Sequence, residues 1–365
     1  MRIFLHDFRP PPSSPVAGPD VQLTVQEIED AGLLEVLQTP GAAFGSWEFL
    51  DALLQPGTPF VFREPLGQAR EVKVALSGLF GRFVARAYLQ RYFGLSIFVH
   101  LGTPPIVLDS RRQIVIDRCE KGDLPDWVAY NSSRSNLTVA EAKGCHDPSG
   151  PKRALARAWK QTKRINVTVR GRHVPLKRLG IVTRWGMQTG GPREPWLAVH
   201  DPIDEGTPLE PEDKNAIFAG LFRHHVANII SSLGHSELAT SLRDLTSKSN
   251  ERDRRQAAQR ALSLLDTPSA EGFYQEAGDL RIGDLIGGFV TRAGLLATVS
   301  VSSADWEALA RLDLRPVFVG IERRLVLAAV ESDPSSISEA LIDQPSVKGT
   351  ARGDRAGSWI IPLGG

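Results

Sequence analysis

Residues 124–143 read LPDWVAYNSSRSNLTVAEAK. Trp127-Val128-Ala129-Tyr130 is apolar, 131–136 is polar and turn-like, and Leu137-Thr138-Val139-Ala140 is apolar again. This spacing predicts two short strands joined by a turn. With the turn centred between Ser133 and Arg134, Asp126 falls opposite Glu141, and directly opposed Cβ atoms lie about 5 Å apart. Glu141 and Lys143 are two residues apart and share one face of their strand. The hairpin therefore gathers two carboxylates and one ammonium at a point. Carboxylates that close repel each other unless a cation lies between them. A hard ion such as Mg²⁺, which takes oxygen ligands and keeps several waters, suits the site.

Pro125-Asp126, followed by Glu141-Ala142-Lys143 at the end of an apolar strand, resembles the motif of the PD-(D/E)xK (restriction-endonuclease-like) nuclease superfamily. The resemblance covers about residues 72–202. It implies an α/β fold with a restriction-endonuclease-like core, a small mixed sheet flanked by helices. An N-terminal helical arm and a C-terminal α+β region lie outside that core. It also implies an Mg²⁺-dependent endonuclease, with Mn²⁺ as an alternative ion, and favours DNA over RNA as substrate only because the resembled family mostly cleaves DNA. Asp126 and Glu141 would be metal ligands, with the Ala142 carbonyl as a third oxygen. Lys143 would orient the attacking water or stabilise the transition state, and Gln161, on the next helix, would position substrate or water. Many members carry a further acid on the helix before the sheet. Here that helix offers Ser77, Arg82 and Arg86, and the nearest acid, Glu71, precedes it, so a third carboxylate is unassigned. Arg82 and Arg86 share a helix face that reads equally as a solvated edge or a phosphate contact.

From Lys152 to Arg193 there is no acidic residue. A helix over about 151–164 opens this stretch, with Pro151 in its favoured first turn. Arg153, Arg157, Lys160, Lys163, Arg164, Arg170 and Arg172 are the candidate nucleic-acid contacts, and Lys152, Lys177, Arg178, Arg184 and Arg193 extend the run. A long run of one sign beside a carboxylate cluster is the charge pattern that a polyanion-cleaving site needs.

The chain of 365 residues has a net charge of +1 and two cysteines, Cys119 and Cys145. That length predicts two or three domains. We divide the chain into an arm with helices (1–70), the nuclease-like core (71–202), a helical region (203–265) and a C-terminal α+β region (266–365). No disulfide framework is indicated, and a reducing, cytoplasmic setting is expected. No apolar run is long enough to span a bilayer, and no secretory leader is visible.

Thr24 with Glu27 forms a capping-box pattern for a helix to about Gln38. A second helix is expected at 46–55. This N-terminal piece is acidic and a poor phosphate-binding face. An amphipathic helix over 74–93 contains Gly78 and Gly81, which close packing against a sheet would explain. Strands are expected at 97–99, 179–184 and 196–199, and a hairpin at 106–108 and 114–116. Further on, helices are expected at 215–233, 237–245, 251–265 and 304–312, and strands at 289–290, 295–301, 317–319, 325–330 and 359–361. The C-terminal region carries no motif and is a candidate surface for a homo-oligomer or a protein partner.

Other chemistries fit less well. Asp109 and Asp117 at turn or strand ends read as solvated. Cys119, Cys145, His146 and His173 match no standard zinc spacing. His224-His225 lies in an apolar run and reads as packed. No GxxxxGK[ST] or GxSxG pattern is present. The alternatives to a nuclease are a catalytically inactive nucleic-acid-binding module of the same fold and an unrelated interaction protein. For the nuclease, restriction, phage defence and repair are roles reached by analogy alone.

Overall fold

The computed structural model of the chain describes residues 5–8, 20–39, 61–62, 70–131, 137–145, 151–187, 195–202, 210–265, 276–277, 280–281, 284–291, 294–296, 317–331, 334–342 and 351–362. The helices expected at 46–55 and 304–312, the hairpin turn at 132–136, His146 and Arg193 lie outside these residues.

The first half runs β1 (Leu5–Phe8), β2 (Val21–Thr24), α1 (Val25–Gln38), β3 (Val61–Phe62), α2 (Arg70–Phe93), β4 (Ile97–His100), β5 (Ile106–Asp109), β6 (Ile114–Arg118), β7 (Trp127–Tyr130), β8 (Leu137–Cys145), α3 (Lys152–Thr162), β9 (Ile165–Val169), β10 (Arg172–His173), β11 (Leu176–Arg184), β12 (Gly186–Met187) and β13 (Trp196–His200). Then come α4 (Pro211–Ser232), α5 (Ser236–Ser247), α6 (Glu251–Leu265), β14 (Glu276–Ala277), β15 (Leu280–Arg281), β16 (Leu285–Thr291), β17 (Gly294–Leu296), β18 (Val317–Glu322), α7 (Arg323–Glu331), α8 (Pro334–Ile342), β19 (Arg352–Gly353) and β20 (Ser358–Pro362). The fold is mixed α/β.

The central sheet has five strands in the order β13-β11-β8-β7-β4. β8 and β11 are parallel, and the other neighbours are antiparallel. Parallel neighbours require a crossover, and here it runs through α3, β9 and β10. The two faces of the sheet are set by glycines. A Cβ on Gly144 would fall 1.7 Å from the Ser77 carbonyl oxygen, and one on Gly81 would fall 2.6 Å from the Gly144 nitrogen. So α2 lies directly on β8 at a distance only glycine permits. Gly78, by contrast, has nothing within 4 Å of such a Cβ. Of the two helix glycines, only Gly81 is explained by close packing. On the other face a Cβ on Gly180 would meet Ala158 Cβ at 3.3 Å, so α3 covers that side.

Strands β10-β9-β6-β5 form a second sheet, and β17-β16-β18-β20-β19 a third. One hydrophobic cluster, from Leu23 through Phe98, Leu179 and Ile230 to Ile360, joins these parts. The capping box at Thr24 is formed. Glu27 N–H donates to Thr24 Oγ1 at 3.0 Å, and Thr24 N–H donates to Glu27 Oε2 at 2.7 Å.

Residues 325–330, expected as a strand, are helical in α7. Leu325, Val326, Ala329 and Val330 are buried while Leu327 is exposed, a helical spacing that a six-residue apolar run hides. Among the described residues, no helix is long and apolar enough to cross a membrane.

Candidate active site

The hairpin register is the one the sequence predicts. Trp127 pairs with Ala140, Val128 with Val139 and Ala129 with Thr138. Continued by one step, Asp126 stands opposite Glu141. Asp126 Oδ2 reaches across and accepts the Ala142 N–H at 2.8 Å. Glu141 is buried, and Lys143 Nζ pairs with its Oε1. The other carboxylate oxygen, Glu141 Oε2, is buried with no cation paired to it among the described residues, and Asp126 hydrogen-bonds to the Glu141 carboxylate. Exclusion of water and the nearby Glu141 charge push the Asp126 carboxyl up to about 8. Burial likewise raises Glu141, against the pull of Lys143. The pair is short of positive charge.

Sheet register also fixes what this site faces. Glu141 pairs with Gly180 and Lys143 with Val182 on β11. Gly180 packs on α3, and Val182 packs with Ala154 and Leu155 of α3. Directly paired residues point to the same face, so Glu141 and Lys143 share the α3 side of the sheet. On α3, Lys152, Arg153, Arg157 and Lys160 are exposed, as are Lys163 just beyond it and Arg172 on β10. None of these has an acidic partner among the described residues. Lys163 lies over the Trp159 ring at 5.0 Å.

Other members of the basic run are engaged within the fold. Arg164 donates to the Asp123 carbonyl at 2.7 Å, and Arg170 lies 4.0 Å from Asp213. Lys177 pairs with Asp201 at 2.7 Å. Arg178 donates to the Thr162 carbonyl and, at 3.0 Å, to the Ile165 carbonyl, which caps the C-terminal end of α3. Arg184 stacks over Trp196 at 5.0 Å. Gln161 is buried, and its Nε2 donates to the Leu124 carbonyl at 3.1 Å, two residues before Asp126. It anchors the segment that carries Asp126.

Arg82 and Arg86 line neither a solvated edge nor a phosphate-binding face. Both turn inward on Glu35 of α1. Arg86 Nη1 lies 3.2 Å from Glu35 Oε2 and donates to Gln38 Oε1 at 2.6 Å. Arg82 Nη1 and His100 Nε2 lie 3.5 and 3.3 Å from Oε1. Trp127, next to Asp126, donates its Nε1–H to Oε2 at 2.8 Å. Burial opposes charge on Glu35, but His100, Arg82 and Arg86 outweigh it and hold the carboxyl down to about 2. Glu35 is the carboxylate that sequence reasoning missed. Its signal was the run Leu33-Leu34-Glu35-Val36-Leu37, buried throughout, because a helix apolar all round is enclosed by protein.

The remaining polar residues have local partners. Asp109 accepts the Arg111 and Arg112 N–H groups at 2.9 and 3.2 Å, and Asp117 accepts that of Arg118 at 2.7 Å. His225 is buried on Gln38 and Phe98. Burial and the Arg86 charge drive its pKa down to about 3. Neither Cys119 nor Cys145 is in a disulfide. Among the described residues, no group of three or more His, Cys, Asp or Glu side chains is close enough to hold a metal ion. The donors the structure brings together at the hairpin are the two carboxylates of Asp126 and Glu141. A hard cation that completes its shell with water and substrate oxygens fits this set.

Comparison with known protein families, with curated proteins and with solved structures found no match.

Proposed function

We propose that the chain is a metal-dependent nuclease of the restriction-endonuclease-like type, hydrolysing phosphodiester bonds in nucleic acid, with DNA as the preferred polymer. One observation carries this reading: Glu141 Oε2 is buried with no cation paired to it among the described residues, opposite an Asp126 carboxyl that burial and the Glu141 charge push up to about 8. A carboxylate pair so placed gains most from a cation.

Asp126, Glu141 and the Ala142 carbonyl would hold Mg²⁺ or Mn²⁺. A divalent ion there would lower the pKa of bound water and offset charge on the phosphate. Lys143, on the same strand face as Glu141, presents an ammonium to the scissile phosphate and its attacking water. The exposed cations of α3 lie on the same side of the sheet and hold the polyanion. The mixed order β4-β7-β8-β11, with β8 and β11 parallel, supports the same reading of the core.

The inactive binding-module reading draws on Glu35. That carboxylate is held by Arg86 and Trp127 and does not add a free ligand.

The test is cleavage of linear and circular DNA, single-stranded DNA and RNA with Mg²⁺, Mn²⁺ or EDTA. Wild type is expected to cut only with metal. Asp126→Ala and Lys143→Ala are expected to lose at least about 100-fold, the scale of removing one transition-state donor. Salt-sensitive binding without cutting, unchanged in both variants, would replace the nuclease by the binding module.

A further inference from the structure

A second buried charge cluster lies away from the hairpin and has the opposite sign. The turn between β5 and β6 is enclosed by three helices. His224 Nε2 on α4 lies 2.9 Å from the Val107 carbonyl, and a Cβ on Gly220 would fall 2.5 Å from the Leu108 carbonyl oxygen. Ser110 N–H donates to the Thr246 carbonyl at the end of α5 at 2.9 Å. Arg111 lies 3.7 Å from Glu251 at the start of α6. Arg223 precedes His224 on α4, and Arg254 follows Glu251 by one helical turn, so both guanidinium groups belong to the helices that enclose this turn.

Both are nearly inaccessible, at 4% and 6% relative exposure for Arg223 and Arg254. Arg223 Nε donates to the Ala329 carbonyl at 2.8 Å, but its Nη2 has no acceptor. Arg254 Nη1 has none either, and Ser110 Oγ is buried without a partner. Three orphan polar groups thus lie around one turn. The carboxylates at hand, Asp109 and Glu251, act on these guanidinium groups by charge, without a hydrogen bond to either. Asp109 accepts two backbone N–H groups, and Glu251 is more than half exposed and shared between Arg111 and Arg255. Burial and then the like charges of their neighbours lower both guanidinium pKa values, against the pull of Asp109 on both and of Glu251 on Arg254. Arg254 also stands on the inward stripe of α6 with Ala257, Ala261 and Leu265, where an apolar side chain would be expected. Asp109 and Glu251 stand against three guanidinium groups, Arg111, Arg223 and Arg254, and a water molecule would fill a hydrogen bond without offsetting the remaining positive charge.

We infer that Arg223, Arg254 and Ser110 form a binding site for a small tetrahedral oxyanion, phosphate in type, enclosed by α4, α5 and α6. Forked guanidinium donors match such an anion, and a hydroxyl can take a further oxygen. The burial excludes a polymer backbone and admits a free ion or the terminal phosphate of a small molecule. The site stands independently of the nuclease reading.

The test uses the full chain in phosphate, sulfate or chloride at matched ionic strength, with a nucleoside monophosphate as a further arm. Thermal unfolding and titration calorimetry are the readouts. Inorganic phosphate is expected to raise the midpoint of wild type and of Lys143→Ala alike. Arg254→Gln removes a like charge, so it is expected to fold without phosphate and to bind phosphate at least about tenfold more weakly. Ser110→Ala, the milder variant, is expected to weaken it less. A midpoint rise with the monophosphate would assign a phosphorylated small molecule, and a rise with phosphate alone would assign the free ion. An equal rise in wild type and Arg254→Gln, or no rise in wild type at millimolar phosphate, would overturn the site.

Discussion

Glu35 and Asp126 are carboxylates linked through one side chain, Trp127, and they titrate in opposite directions. Trp127 follows Asp126 in the chain and donates its indole N–H to Glu35. Around Glu35 stand Arg82, Arg86 and His100, and its carboxyl is held down to about 2. Around Asp126 stands another carboxylate, and its carboxyl is pushed up to about 8. Burial raises both. What differs is the sign of the neighbours. Glu35 takes Arg82, Arg86 and His100, and the hairpin pair has only Lys143 on Glu141 and the charge of Arg82 acting on Asp126. The first arrangement supports the structure, and the second calls for an ion from solution.

That contrast can be broken most forcefully at Glu35. Glu35→Ala leaves the Arg86 guanidinium, 0% exposed, without its carboxylate. Loss of one partner of a buried pair costs about 3–5 kcal/mol, and urea unfolding of the variant is expected to show a loss of this size. Asp126→Asn removes repulsion and is expected to leave stability at pH 8 without metal equal to or above that of wild type. If both variants were equally destabilised, the two carboxylates would be playing the same part.

The pH dependence sharpens the comparison further. Glu35 is lowered from 4.5, so its contribution is present above about pH 4.5 and is lost as pH falls toward 2. Asp126 is raised from 3.8, so its contribution is present below about pH 3.8 and is lost as pH rises through 8. The Asp126 contribution is expected to fall from pH 4 to pH 8, read as the difference between metal-free wild type and Asp126→Asn in urea titrations. Because a cation competes with the proton on Asp126, Mg²⁺ affinity measured by calorimetry is expected to rise from pH 6 to pH 9. A pH-independent affinity would separate the metal from Asp126.

The smallest effect is expected at Arg82, which acts on both groups. It lies 3.5 Å from Glu35 and lowers Asp126 as well. Its side chain is partly exposed, so Arg82→Gln is expected to cost about 1 kcal/mol or less. Its clearer mark would be a further rise in the Asp126 pKa, read by carboxyl NMR titration.

The hairpin was legible because its information is local. A turn and two apolar runs determine which residues oppose each other, and the pairing of Trp127 with Ala140 follows. The capping box at Thr24 was local in the same way. Glu35 was not legible because its partners lie up to 92 residues away in sequence. An acidic N-terminal segment reads as solvated until the helix that encloses it is known. Arg86 fails for the same reason, since a helix-face pattern says which residues align but not what they meet. The basic run shows the boundary within one segment. Charge counting marked the exposed cations of α3 but did not separate them from Arg178, which caps the helix from below.

Asp30 on α1 is held by Arg352 on β19 at 2.8 Å, across 322 residues of chain. Burial raises the Asp30 carboxyl even with that partner beside it. On a translating ribosome that adds about 5–20 residues per second, the partner follows about 16–64 s later. For that interval α1 has been made but the strand that closes over it has not. The order of synthesis therefore makes β19 a late closure on α1.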